Sequence, residues 1–373
     1  MPSPDRSPTQ LALRILKQAI KEELKYEYNW FRFFHFKADP TEPSPLSENF
    51  DEELIDRQKE IQSLAMILAS ASKGSSAILF LIGPVGSGRS SLVNFLLHLN
   101  KLADADSVET LLVPVKELAM YKPDRITDYL ARYKQARLLI LEDCQELGPV
   151  LADILRGSLP PAPLKVIVTT PAHLLALRQH DEFGFSWKTL PVMPLGEKDA
   201  ISFMRNVLTR ELEPSSQYTS LLQSESVLKH ICEFGMGIPS MMLRLLRQSF
   251  IMAYTKDLSK LDEKIVDEIG IRGGYQAALE GIVRNKLGEK LFEVLLALNW
   301  QTNFALGFEG TEGATANQLE EELDVDRTTI AHYLSELNQM GLVTKYKRGK
   351  PVYYRLTEAT QVAIELECLK RGA

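Results

Sequence analysis

The stretch LFLIGPVGSGRSSLVNFLL, Leu79 to Leu97, decides the fold of this 373-residue chain. It continues an apolar run, Ala77 to Ile82, that has the length and composition of a buried parallel strand. A glycine-rich turn follows from Gly83 to Gly88, and a helix is predicted from about Ser90. Strand, glycine turn and helix together form the layout of a phosphate-binding loop. Glycines let successive backbone N–H groups turn inward on an anion, and the helix N-terminus adds unpaired donors and the positive end of its dipole. The spacing G-x-x-x-x-G-x-S is intact from Gly83 to Ser90, but Arg89 stands where the pattern has Lys. The candidate cradle is therefore Gly83, Gly86, Gly88, Arg89, Ser90 and Ser91, with the Ser90 hydroxyl offered to Mg2+. A guanidinium keeps the charge of an ammonium but is broad, planar and forked, so retained binding with poor turnover is one expectation. A relic loop that binds nothing is the other.

Working outward, strand and helix patterns alternate. Strands are expected at 77–82, Thr110–Val115, Arg137–Leu141, Lys165–Thr169 and Thr189–Met193, with helices at 90–99, Ile126–Tyr133 and Val150–Leu155. Short connections and this alternation predict a parallel sheet flanked by helices, with ligands at the carboxyl ends of the strands. Upstream, FDEELIDRQKEIQSLAMIL reads as a helix with Ile61, Leu64 and Leu68 on its apolar face. Residues 1–47 read as a polar start, an amphipathic helix through Leu11, Ile15 and Leu24, an aromatic arm from Tyr26 to Phe36 and a proline-rich linker. The arm either packs on its own chain or docks a partner. Beyond Pro194 the text turns helical to Tyr254, and a charged, glycine-ended stretch runs from Lys256 to Gly274. The domains expected are 1–47, a core at 48–195, a helical lid at 196–274 and a third domain at 275–373.

Three dispersed cysteines, Cys144, Cys232 and Cys368, have no metal or disulfide spacing, which suggests a reducing, cytoplasmic setting. No apolar run is long enough to span a membrane, and MPSPDRSPTQ lacks the order of a secretory signal. A net charge of −6 argues against a uniformly basic nucleic-acid coat but leaves room for a local basic patch.

The candidate site residues beyond the loop lie at strand ends and in the lid. LLILED, 138–143, is a buried strand closed by Glu142 and Asp143. In P-loop ATPases an Asp holds Mg2+ there and a following Glu polarises water, whereas here the order is Glu then Asp. Either acid can serve a metal, with Glu142 the first choice, but the exchanged side-chain lengths misplace the base. Thr169 ends the next strand and could orient water or a terminal phosphate. Arg178 could act as an arginine finger toward a neighbouring subunit or simply be a solvated surface residue. Arg244, after the Gly237-x-Pro239 turn, could sense nucleotide or form a salt bridge on the helix surface.

The third domain has the order of a winged helix-turn-helix. Thr315 to Gln318 reads as a capping box, and Asp326 caps a helix with Ile330, Leu334 and Leu337 inward. Arg327, Thr328, Thr329 and His332 remain on its outer face. Two strands, Leu342–Tyr346 and Val352–Leu356, flank a turn, and Lys345, Lys347, Arg348, Lys350 and Arg355 interleave with tyrosines without an acid. This is the footprint of phosphate contact with double-stranded DNA, though wings also dock proteins.

Taken in order, these motifs resemble the AAA+ superfamily, in particular its archaeal-type and origin-recognition initiator branch, with some STAND-like marks. The resemblance rests on LIDRQKEIQSL at 54–64, GPVGSGRS at 83–90, LLILED, VTT at 168–170 and the Gly-x-Pro turn, and covers roughly residues 48–365. It implies an α/β parallel-sheet core with a lid and a C-terminal winged helix. It also implies ATP/ADP and Mg2+ as cofactors, with Arg57 near the adenine and Pro239 in the lid turn. The implied partners are duplex DNA and other AAA+ or effector subunits. Arg89, the inverted acids and Ser240, where initiators tend to carry a lid arginine, put hydrolysis in doubt more than binding. The function expected is a DNA-binding protein governed by ATP-dependent conformation and assembly. The alternatives are a pseudo-ATPase scaffold that docks a partner and a STAND-type switch.

Overall fold

A computed structural model describes residues 57–72, 77–102, 108–115, 136–147, 164–180, 187–211, 224–258, 260–284, 286–303 and 313–372, with Phe34, Thr41, Leu54, Leu151 and Leu155. The expected helices at 11–24 and 126–133, and the arm and linker apart from Phe34 and Thr41, lie outside these residues.

Helix α1 (Gln58–Ser72) precedes β1 (Ala77–Ile82), the phosphate-loop turn and α2 (Arg89–Leu102). Then come β2 (Thr110–Pro114), β3 (Leu138–Glu142), β4 (Leu164–Thr169), α3 (Pro171–His180) and β5 (Lys188–Pro191). The five strands pair parallel in the order β2-β3-β4-β1-β5. With β1 between β4 and β5, this is the parallel sheet that the strand–helix alternation predicts. Because all strands run one way, the loop after β1, the acids after β3 and the threonines after β4 meet on one edge. Near-continuous burial of β1, β3 and β4 is what helices on both faces of a parallel sheet demand. Leu64 of α1 is fully buried beneath Leu79, Leu81 and Leu92, with Ile61 and Leu68 packed beside it.

The lid comprises α4 (Glu197–Glu211), α5 (Glu225–Phe234), α6 (Pro239–Thr255) and α7 (Glu263–Arg272). Helix α7 falls inside the stretch, Lys256 to Gly274, that the sequence marks only as charged and glycine-ended within the expected lid. Asp262 caps it by accepting the Ile265 N–H, and Ile265, Val266 and Ile269 are buried beneath its charges. A helical turn, Tyr275–Ala278, and one turn of π-helix, Leu279–Val283, lead into α8 (Glu289–Asn303).

The winged helix follows as α9 (Ala316–Leu323), α10 (Arg327–Gln339), β6 (Val343–Lys347) and β7 (Val352–Leu356). Both predicted caps are present: Thr315 and Gln318 form a reciprocal capping box, and Asp326 accepts from Thr328 and Thr329. Ile330, Leu334 and Leu337 are buried as the periodicity requires. Ala314 adds a short third rung through paired hydrogen bonds to Tyr354.

A last helix, α11 (Glu358–Lys370), was not anticipated. Its burial is nearly all-round, as for a helix enclosed between layers rather than lying on a surface. It packs on α3 of the core, and Leu369 joins the cluster of Phe80, Ile82 and Leu139 on one face of the sheet. Lid and winged helix share a single hydrophobic cluster that also takes in Ala172 and Phe34. Phe34 is buried with its ring 4.8 Å from that of Phe250, so this residue of the aromatic arm packs on its own chain. No helix among the described residues is long and apolar enough to cross a membrane.

Candidate nucleotide site and nucleic-acid interface

The loop is built by two backbone reversals. Gly86 and Gly88 take left-handed φ values of +79° and +98°, a region closed to most side chains. Gly86 is doubly required: a Cβ there would lie 1.6 Å from Ser240 Oγ, and the Gly86 carbonyl accepts the Ser240 N–H at 3.3 Å. The start of α6 is thus seated directly on the loop. Pro239 opens that helix at a position needing no N–H, and Gly237, with φ +69°, brings the turn against Leu195, whose N–H it accepts at 2.9 Å. Ser240 therefore meets the loop through backbone and hydroxyl, where a lid arginine would have brought a charge.

Arg57 is buried and structural in its contacts. Its guanidinium donates to the Met193 carbonyl at 2.7 Å, the Ser87 carbonyl at 3.1 Å and Glu60 at 3.1 Å, tying α1 to the loop and to the end of β5. Beside it, Ser87 Oγ and Arg89 Nη1 are buried with no hydrogen-bond partner among the described residues. Arg89 is 6 % exposed. Burial pulls its pKa down, opposed by the negative groups Glu365, Asp143, Cys144 and Glu142 that face it. Ser90 is exposed and Ser91 half-buried at the head of α2. Two orphaned polar groups of high hydrogen-bonding demand, one cationic, at the start of α2, where a helix leaves backbone donors unpaired, fit an oxyanion ligand. The loop residues thus fit the phosphates of ATP or ADP.

The strand ends are arranged less freely than the sequence implied. Asp143 sits at φ +58°, and Gln145 Nε2 donates to its Oδ1 at 3.2 Å. Glu142, half-buried, ends β3 one residue earlier. The Thr169 hydroxyl and His173 Nδ1 are 2.7 Å apart, both fully buried. Cys144, behind them, is pushed up by burial and held as an inert thiol. The other two cysteines are also free and buried.

Arg178 and Arg244 are both turned toward the last helix rather than toward the loop. Arg178 donates to the Gly372 carbonyl at 2.6 Å and lies over the Trp187 ring at 5.6 Å. Arg244 is paired with Glu358 at the head of α11. A buried charged group that the sequence reading did not single out is Glu365, a carboxylate 1 % exposed in α11. Its Oε2 accepts the Ala172 N–H at 2.7 Å, it also engages the Thr170 hydroxyl, and burial pushes its pKa up to about 7. The available signal was the run Val362 to Leu369, apolar on every side but interrupted by two glutamates.

The second candidate surface is open. Arg327, Thr328 and His332 are exposed on α10, while the Thr329 hydroxyl is committed to Asp326 at 2.6 Å. Lys345, Lys347, Arg348 and Lys350 are exposed on the wing, whose shape is held by Tyr346 and Tyr353 stacked at 5.6 Å.

No protein-family model matches the chain. An uncharacterized HTH-type transcriptional regulator of Methanocaldococcus jannaschii is 28 % identical over 176 residues, 46 % of this chain; the chain spans only 39 % of that relative's length. Among solved structures, the ORC1 protein of Aeropyrum pernix in complex with DNA is 17 % identical, covering 87 % of this chain and 95 % of that one, with a TM-score of 0.43. The ADP form of the ORC2 protein of the same organism is 14 % identical, covering 91 % and 100 %, at 0.46. The RuvB Holliday junction branch migration motor of Thermotoga maritima is 17 % identical, covering 86 % and 96 %, at 0.40.

Proposed function

We propose that this chain is a nucleotide-binding, DNA-binding AAA+ protein that works by conformation and assembly with further subunits, and turns ATP over slowly or not at all. The observation that carries the reading is the pair of buried, unpartnered groups, Ser87 Oγ and Arg89 Nη1, inside a glycine nest already closed by α6. Leaving such groups unmet costs about 1–3 kcal/mol each, more for a charge, and a bound phosphate removes that cost. Gly83 to Ser91 would hold the phosphates, and Ser90 with Glu142 would hold Mg2+, which supplies charge neutralisation to the phosphate oxygens when bound. Slow turnover is supported by three engaged groups. Asp143 is bonded to Gln145, Thr169 to His173, and Arg178 to the chain's own C-terminal segment.

On the output side, α10 and the wing would take duplex DNA, the helix in the major groove and the wing on phosphates. DNA binding measured over a salt series tests this. The Lys347→Ala, Arg348→Ala, Lys350→Ala triple variant is expected to weaken binding across sequences and to flatten the log–log salt slope by about 3. An unchanged slope would leave the wing as a protein-docking surface. ATP turnover by the purified chain at rates ordinary for AAA+ motors would overturn the weak-hydrolysis part.

A further inference from the structure

Where α3 of the core meets α8 and α9, the chain leaves a cavity of about 330 Å3. Much of its wall is apolar: Leu175 of α3, Leu296 and Trp300 of α8 and Leu323 of α9 line it, each half-buried. Glu293, Leu296 and Trp300 recur at i, i+3 and i+7, so one face of α8 brings an acid, an aliphatic side chain and an indole to the same space. Glu322 lines it from the last turn of α9, where the negative end of the helix dipole adds to its charge. Neither acid is paired with a cation among the described residues. Glu293 is exposed and has no ion pair there, and Glu322 Oε2 accepts from the neutral Gln301 amide at 2.9 Å. No basic side chain lines the cavity among the described residues.

We propose that this cavity is a binding site for an organic monocation with an apolar body, an arylalkylammonium or alkylammonium. Its volume lies at the lower end of the range of small-molecule sites, which matches a ligand of one ring and a short chain. Seating the body against Leu175, Leu296 and Leu323 takes apolar surface of both partners out of water. The ammonium meets Glu293 and Glu322, and the face of Trp300 attracts a cation through its ring quadrupole. An anion would meet two like charges with no base to offset them, and a neutral ligand would gain the apolar contact alone. Because the wall belongs to α3 on one side and to α8 and α9 on the other, an occupied cavity ties these helices together. Helix α9 also packs on α10, so the ligand braces the helix that carries Arg327 and His332. The site is separate from the phosphate loop and stands whether or not that loop binds nucleotide.

The test is thermal denaturation of the full chain with phenethylammonium, phenethyl alcohol and hydrocinnamate, a cation, a neutral compound and an anion of similar shape, at equal ionic strength. A ligand that binds the folded chain raises its melting temperature. Phenethylammonium is expected to give a saturable rise larger than that of the alcohol, and hydrocinnamate none. Glu293→Gln and Glu322→Gln keep the shape and each remove one charge. Each should weaken phenethylammonium binding about fivefold, and the two together about twentyfold, with the ligand-free melting temperature little changed. Fluorotryptophan labelling locates the ligand: among the signals of Trp30, Trp187 and Trp300, the one lost in Trp300→Phe should move on adding the cation. Should Trp300→Phe not fold, the glutamate variants, at exposed positions, decide. Equal rises with all three compounds, undiminished binding in the double variant, or movement of another tryptophan signal while that of Trp300 stays fixed each overturn the assignment. So does the absence of any rise with phenethylammonium.

Discussion

The phosphate loop and the wing both carry cationic and hydroxyl groups, yet they differ in what those groups still need. On the wing, Lys345, Lys347, Arg348 and Lys350 are exposed and hydrated, so their free energy hardly depends on whether a partner is present. At the loop, Ser87 Oγ and Arg89 Nη1 are out of water and unmatched, and Glu365 is buried on an amide borrowed from another domain. An exposed charge pattern tells what a surface can attract. Buried, unmet polarity tells where binding is coupled to stability. The loop should therefore answer to single substitutions, whereas the wing should answer only to charge removed in bulk.

The comparison breaks most visibly at Glu365. Burial raises its pKa from 4.5 to about 7, so between these values the docked chain holds a proton that the unfolded chain releases, and above about pH 7 Glu365 faces Arg89 as a carboxylate. For an acid shifted upward, the stabilisation is complete below the unfolded pKa and is lost as pH rises through about 7. The groups facing it are Arg89, the Ala172 amide and Thr170 from the core and Cys368 on its own helix. Thermal denaturation is expected to show the wild type losing about 2–3 kcal/mol more than Glu365→Gln between pH 5 and 8. Parallel pH profiles would remove the buried charge from the comparison.

A smaller effect is expected at Arg89. Replacing it with alanine removes a charged donor to the phosphates, worth about 1.5–3 kcal/mol, so nucleotide affinity should fall about tenfold to a hundredfold. The gain in melting temperature on adding ADP should shrink accordingly. An unaltered shift would place the anion contact on the backbone nest alone. Smallest is a pair of hydroxyl deletions with opposite signs. Thr315→Ala removes a satisfied capping box and should cost about 1 kcal/mol of stability. Ser87→Ala removes an unsatisfied buried hydroxyl, so the ligand-free chain should gain up to about 1 kcal/mol while binding nucleotide less well. Losses of equal size in both would mean that Ser87 Oγ is not in want of a partner.

Legibility in the sequence followed the range of the interaction. β1 appears at the residues where its apolar run predicts it, and the capping box at Thr315 and the cap at Asp326 could be read because each motif is closed within three residues. The helix inside 256–274 was obscured because its charges outnumber its buried face, although Asp262 and the spacing of Ile265, Val266 and Ile269 were there to be read. Arg178 and Arg244 could be singled out as cations of the right type near the right turns. Their partners, Gly372 and Glu358, belong to a helix whose docking no local pattern encodes.

What the sequence by itself determined is the set of local devices: the strand, the glycines that permit φ above zero at Gly86 and Gly88, the caps, and the alternation that makes a parallel sheet. Each is decided by backbone sterics or by hydrogen bonds a few residues long. Tertiary structure alone decided that Ser240 closes the loop, that Thr169 and His173 occupy one another, and that Glu365 accepts from an amide 193 residues away. Desolvation is the physical reason. A carboxylate in a helix reads as an ordinary solvated acid until packing removes its water, and only then does its charge act on Arg89.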